Sequence, residues 1–346
     1  MVLGDLVPQT PAVFTVVVVV ATGLIWIGSG WLEESAEELS RHYGLPEVIQ
    51  GSVVVAVGSS SPELASVVFA ALAGSFGVGV GAVVGSAVFN VLVVPGLSGV
   101  VSDGPLDANR TLVYKEAQFY MLAVSALLVT FALAVIYVPT DTAARLSGEV
   151  TRPLAAIPLL LYGLYVFIQW QDVTEYEATD DGGSVAVTRE WAKLLAGLAT
   201  ILIAVEQLVG AVGGFVGVFG IPEFLAGATI LAAATSLPDA LVSVRAASDG
   251  RGLTSLGNVL GSNTFDLLVA IPLGVLIVPT GRVPVDFGVA APMMGVLTLA
   301  TILLFTVLRT DLTLTAPESY TLLGAYGVFV IWIVAETLGV VELLAT

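Results

Sequence analysis

Apolar windows recur along the chain near residues 11–31, 46–72, 77–100, 116–138 and 151–170. Five more follow near 192–218, 221–247, 253–278, 287–308 and 318–343. Each is long enough to cross a hydrocarbon layer of about 30 Å as an α-helix, which takes about 20 residues. The pattern therefore predicts ten spans. Gly, Ser, Pro or acidic residues interrupt the second, third, seventh and eighth windows, so their limits are the least sharp. Residues 1–10 carry no basic cluster, and the first span is expected to stay in the protein rather than act as a signal.

The two sets of five windows are copies. GLPEVIQGSVVVAVGSSSPEL (44–64) aligns without a gap on GIPEFLAGATILAAATSLPDA (220–240), a shift of 176. The same shift carries GAVVGSAVFN (81–90) onto GNVLGSNTFD (257–266), and 16 of the 47 positions between 44 and 90 are identical in the two copies. Five is odd, so the second copy enters the membrane upside down, an inverted-topology repeat. The expected fold is an all-α integral membrane protein of ten transmembrane helices, with halves 1–170 and 192–346 joined by an acidic linker, 171–191.

The basic residues sort by side. With ten spans, Arg41, Arg110, Lys115, Arg189, Lys193, Arg245, Arg251 and Arg309 fall on one side, and Arg145, Arg152 and Arg282 on the other. The richer side is expected to be cytoplasmic, which places the linker inside the cell and both termini outside in a multi-pass cell-membrane protein.

Composition narrows the chemistry. The chain is 57% hydrophobic and 11% charged, against about 25% charged in soluble domains, and its mean hydropathy is +0.98. There is no cysteine and one histidine, His42, so thiolate and histidine metal sites are excluded. Net charge is −17, which argues against nucleic acid and anionic lipid as partners. Most acids fall in segments read as loops, such as EESAEE (33–38) and QDVTEYEATDDGG (171–183). Of the acids inside the windows, Glu63, Asp239 and Asp266 lie within spans that contain no mid-span Lys or Arg, and ionisable residues inside a membrane are functional candidates.

In a helix, residues three and four apart share a face. Ser59 and Ser60 thus accompany Glu63, Thr235 and Ser236 accompany Asp239, Ser86 accompanies Asn90, and Ser262 accompanies Asp266. Pro62 and Pro238 are expected to weaken the helix a turn earlier and free the carbonyls near Gly58 and Ala234. Every donor is oxygen, which suits hard cations such as Na⁺ and Ca²⁺. Three carboxylates together carry up to −3, which three Na⁺ would neutralise and one Ca²⁺ would leave at −1.

The motifs GSSSPE with GSAVFN (58–63, 85–90) and ATSLPD with GSNTFD (234–239, 261–266) resemble the two α-repeats of the cation/calcium exchanger superfamily, here spanning 44–97 and 220–273. The pairing is most similar to the potassium-dependent sodium/calcium branch. That resemblance implies Na⁺/Ca²⁺ antiport by alternating access, with no cofactor and with the first and sixth spans sliding as gates; a single chain would suffice. It places Glu63, Asp239, Asn90 and Asp266 at the centre. Ser59, Ser60 and Ser86 line one outer site, Thr235, Ser236 and Ser262 the other, and the carbonyls of Ala56 and Ala232 contribute. In that branch an aspartate at the position of Asp266 goes with K⁺ co-transport, which prokaryotic members carrying it need not share. Two departures are Asp239, one methylene shorter than the glutamate of many prokaryotic exchangers, and Ala234 where the motif has Gly.

Other readings compete. A proton/calcium antiporter would share the fold but would not need hydroxyl-rich Na⁺ sites. An intramembrane aspartyl protease would use Asp239 and Asp266 as a dyad sharing a proton, and would leave Glu63 and the duplication without a role. Gly77, Gly81, Gly85, Gly257 and Gly261 read as close-packing positions, Glu47 and Glu223 as helix caps, and Glu206 as a vestibule or helix-end residue.

Overall fold

In the computed structural model, which describes residues 10–44, 56–140, 146–173, 186–338 and 340–341, the chain is nearly all helical. The first half comprises α1 (Pro11–His42), α2 (Ala56–Ser59), α3 (Ser61–Leu72), α4 (Phe76–Val101), α5 (Leu112–Tyr137) and α6 (Arg152–Val173). The second comprises α7 (Val187–Phe219), α8 (Glu223–Ser248), α9 (Gly252–Ile277), α10 (Phe287–Arg309) and α11 (Ala316–Thr337). Nine of these described helices are long and apolar enough to span. The second expected span is represented by α2 and the 12-residue α3; Glu47, in the same window, lies outside the described residues, as do Arg145 and most of the linker.

Helix limits repeat at the shift read from the sequence. α1 begins at 11 and α7 at 187, and α4 covers 76–101 where α9 covers 252–277. Two short antiparallel ribbons exchange partners between the halves. β1 (Leu106–Asp107, after α4) pairs with β4 (Thr313–Leu314, before α11), and β2 (Ser147–Thr151, before α6) pairs with β3 (Arg282–Asp286, after α9).

The ends of the helices report the number of crossings. A cavity of about 440 Å³ is lined jointly by Gly74, Ser147, Glu223 and Asp286, which belong to the α3–α4, α5–α6, α7–α8 and α9–α10 connections. At the opposite end Trp191 Nε1 donates to Tyr43 OH (3.2 Å) and Lys193 pairs with Glu34, joining the end of α1 to the start of α7. Gly252 meets Asp107 there as well. Alternate connections gather at alternate faces, and His42 and Gly74 lie at opposite ones.

Burial separates the layers. The most apolar 18-residue windows of α4 and α9 are 89% and 83% buried, whereas that of α11 is 17% buried. α4 and α9 form the centre, and helices apolar on every side belong there. α1 and α7, of 32 and 33 residues, are about 50 Å long, well beyond the hydrocarbon thickness, and pack along one another. They cross where Gly28 meets Gly197, each backbone carbonyl filling the space a methyl group would need on the other.

Two expectations are corrected. EESAEE (33–38) is no loop: α1 runs unbroken to His42, because Leu32, Ala36 and Leu39 keep an apolar stripe facing inward beyond the first window. The prolines also act unequally. Ser60, with φ −81° and ψ 2°, breaks α2 from α3 just before Pro62, whereas α8 continues helically through Pro238 and takes up its irregularity earlier, in a π-helical turn at Gly227–Leu231.

Candidate functional site

The proline–carboxylate pair in the first half has a local explanation. Pro62 occupies the first turn of α3, where its missing N–H costs nothing, and Glu63 follows in that turn, where the helix dipole favours an anion. A second π-helical turn begins at Asp266 (Asp266–Ala270), the kind of irregularity that recurs at functional sites.

Glu63, Asn90, Asp239 and Asp266 are all fully buried, at 0%, 1%, 3% and 1% exposure. Ser59, Ser60, Ser86, Thr235, Ser236 and Ser262 are buried with them. Glu63 is the hub. Its Oε1 accepts from Ser86 Oγ (3.2 Å) and Ser236 Oγ (3.3 Å), and Ser236 and Ser86 are 2.6 Å apart. Three elements, α3, α4 and α8, and both halves thus meet at one carboxylate oxygen. Thr235 also reaches Glu63, and Ser60 reaches Asp266 across the halves. Ser60 Oγ further donates to the Ser262 carbonyl (3.3 Å).

Two hydroxyls keep local partners as well. Thr235 Oγ1 donates to the carbonyls of Leu231 (3.2 Å) and Ala232 (3.4 Å), and Ser262 Oγ to that of Val259 (3.2 Å). Such back-bonding is common for Ser and Thr within helices. Ala232 opens the regular part of α8, so its carbonyl faces Thr235; Ala56 is the first residue of α2.

The central four residues share a further property. Glu63 Oε2, Asn90 Oδ1, Asp239 Oδ2 and Asp266 Oδ1 are each sealed from solvent without a hydrogen-bond partner among the described residues. Buried acceptors left unpaired cost about 1–3 kcal/mol each, and more when charged. Four at one place make a cradle of acceptors that a cation would satisfy. Among the described residues no three acidic side chains stand close enough to ligate one metal ion by themselves, so hydroxyl, amide or carbonyl oxygens must complete any coordination shell. The cavity of about 440 Å³ and another of about 780 Å³ are lined by other residues.

Asn263 was not singled out from the sequence. It is fully buried and joins the halves: its Oδ1 accepts from Asn90 Nδ2 (3.0 Å), and its Nδ2 donates to the Ala87 carbonyl (3.4 Å) and Tyr120 OH (3.4 Å). Its signal was an amide in GSNTFD where the first copy has Ala87. Asn263 orients Asn90, so Asn263→Ala is expected to lower cation affinity about tenfold with expression retained, as loss of an orienting partner does; cation titration of melting in detergent checks it.

Other residues stand apart. Glu223 opens α8 directly after Pro222, where its charge suits the helix dipole although it makes no side-chain cap hydrogen bond, and its carboxylate reaches Ser75 at the start of α4. Glu206 stays partly exposed and accepts from Gln207 (3.3 Å). Gly81 and Gly85 are close-packing positions, against the backbones of Phe224 and Ala228, while Gly77 lies against Glu223. Gly257 has only Leu112 Cδ1, at 4.0 Å, near its open side; residue 48, which the shift of 176 places opposite it, is outside the described residues.

Comparison with known proteins places this geometry. The family model described as "Sodium/calcium exchanger protein" matches residues 13–171 and 190–335. An uncharacterized membrane protein of Methanocaldococcus jannaschii is 28% identical over 256 residues, 73% of this chain and 78% of that one. The sodium/calcium exchanger MaX1 of Methanosarcina acetivorans is 25% identical over 307 residues, 79% of this chain and 86% of its own. Among solved structures, the sodium-calcium exchanger NCX_Mj superposes with a TM-score of 0.65 at 24% identity, covering 93% of this chain and 99% of that one. At that identity the superposition speaks for the fold.

Proposed function

The chain belongs to the sodium/calcium exchanger family of membrane cation antiporters, and from that premise we propose that it exchanges Na⁺ for Ca²⁺ by alternating access through the pocket around Glu63. The observation that carries the reading is the set of four unpartnered acceptor oxygens on Glu63, Asn90, Asp239 and Asp266, ringed by hydroxyls and, among the described residues, in no ion pair. Oxygen-only coordination favours hard cations. The hydroxyls supply neutral donors suited to Na⁺ once Ca²⁺ has left, and they are superfluous for a carrier of protons. Asp266, with an unpartnered Oδ1 where the other copy has Asn90, supplies the extra negative charge that a co-transported K⁺ would offset.

The basic residues support an orientation. Arg41, Lys193, Arg251 and Arg309 lie toward the end that holds the β1–β4 ribbon, and Arg152 and Arg282 toward the β2–β3 end. The first end is the cytoplasmic one by the positive-inside rule, with both termini outside.

Purified protein in liposomes loaded with Na⁺ should take up radiolabelled Ca²⁺ when diluted into Na⁺-free buffer, and should not when Na⁺ is absent on both sides. Uptake driven equally by a pH gradient without Na⁺ would replace this assignment with proton/calcium exchange. Omitting K⁺ in the same assay decides the Asp266 question: a K⁺-coupled carrier loses uptake, and a simple Na⁺/Ca²⁺ carrier keeps it.

A further inference from the structure

The inner face of α1 carries polar groups that the pocket does not employ. Ser29 Oγ and Glu33 Oε1 are both sealed from solvent without a hydrogen-bond partner among the described residues, and Ser29 is 1% exposed. Spaced four apart, they lie one above the other on the same helix face. That face meets the pocket-forming elements. A methyl group on Gly58, beside Ser59, would stand 3.9 Å from Glu33 Cγ, and α1 packs against Ala232–Ser248, the part of α8 that carries Asp239. The nearby bases on this stretch are engaged elsewhere, Lys193 with Glu34 and Arg41 with Glu38.

The duplication sharpens the point. The shift of 176 takes Ser29 and Glu33 to Val205 and Val209 on α7, which are 0% and 6% exposed. Where one copy is sealed with valine, the other holds a hydroxyl and a carboxylate. A carboxylate with one oxygen sealed and unpaired among the described residues is costly, and a structural helix contact is made equally well by valine.

We propose that Ser29 and Glu33 form a staging site for a hard cation on one side of the central pocket, an oxygen pair that exchanges the ion with Asp239 as α1 moves. The site lies toward the His42 end of α1 and has no counterpart toward the other face, so cation entry is asymmetric although the central pocket is nearly two-fold. This inference rests on the antiport reading above, and its test separates the two.

The test compares wild type with Glu33→Gln, Glu33→Asp and Ser29→Ala in liposomes. Because the chain contains no cysteine, a single Thr337→Cys reporter labelled by an impermeant reagent fixes which face is outward. Two quantities are read: the Ca²⁺ concentration giving half-maximal uptake from each face, and the Ca²⁺-induced rise in melting temperature in detergent. Glu33→Gln is expected to raise the half-saturating concentration about tenfold on the face toward His42 and less than about twofold on the other, with the melting shift intact. Glu33→Asp should recover most of the loss, and Ser29→Ala should show a smaller loss of the same sidedness. An equal change on both faces, no change on either, or loss of the Ca²⁺-induced melting shift in the Gln variant would overturn the staging site. Wild-type protein that neither takes up Ca²⁺ nor gains stability from it would overturn the antiport reading instead.

Discussion

Glu63→Gln is expected to reduce Na⁺-driven Ca²⁺ uptake at least about fiftyfold, equivalent to about 2.3 kcal/mol, in protein that remains folded. The substitution keeps the shape and an acceptor at Oε1, so Ser86 and Ser236 retain a partner, and what is removed is the charge. In the proposed coordination Ca²⁺ requires that charge: among the described residues Asp239 and Asp266 are the other buried acids of the pocket, and each is itself short of donors. Stability should change in the opposite direction. Three buried carboxylates repel one another when no cation is present, so in ion-free detergent the Gln variant should melt higher than wild type, by a few degrees, while losing the stabilisation that Ca²⁺ gives wild type by mass action. Glu63→Ala should lose transport equally but melt lower, because two hydroxyls lose their acceptor and a void opens where α3, α4 and α8 meet. Transport retained by the Gln variant would remove Glu63 from the proposed coordination.

The second large effect concerns packing. Gly85→Val is expected to destabilise the protein by about 3 kcal/mol or more, at the upper end for overpacking, and to cut the yield of monodisperse protein severalfold. A methyl group at Gly85 would overlap the Ala228 carbonyl and stand 2.6 Å from Ala228 Cα, and one at Gly81 would overlap the Phe224 carbonyl. Reciprocally, Gly227 lies against the Val78 carbonyl. These contacts are backbone against backbone, so no side-chain rotation relieves them. In lipid, where helix association relies on such close approach, the loss is not offset by solvent. Gly163→Ala on α6 is the control: nothing lies within 4 Å of the added methyl, and stability should stay within about 0.5 kcal/mol of wild type or rise slightly. A Val variant at Gly85 that melts with wild type would show that α4 and α8 do not cross where described. Ser86, next in sequence to Gly85, is one of the hydroxyls on Glu63, so the crossing also sets the width of the pocket.

Much of this was legible in the chain. Apolar windows of membrane length announced the spans, and the ungapped repeat around Pro62 and Pro238 announced the duplication. An odd number of spans per copy then required the second to be inverted. Glu63, Asp239 and Asp266 stood out because no basic residue in their spans could pair with them. Glu33 was misplaced because its neighbours Glu34 and Glu37 in EESAEE are exposed, and composition averages them with an acid whose Oε1 is sealed from solvent. Helical phase decides that difference, and phase depends on where α1 ends. Pro238 misled in the other direction, since α8 takes up its irregularity in the turn at Gly227–Leu231 rather than at the proline.

By itself the sequence determined the crossings, their inversion and the oxygen-rich chemistry of the buried positions, because hydrophobic length and charge in a membrane are penalties paid locally, residue by residue. Tertiary structure alone decided which oxygens are left without donors, that Asn263 joins the two copies, and that Glu33 Oε1 is sealed from solvent. Those facts depend on where two distant helices cross, and a crossing is set by the backbone contacts at Gly81, Gly85 and Gly227, which no single stretch of chain contains.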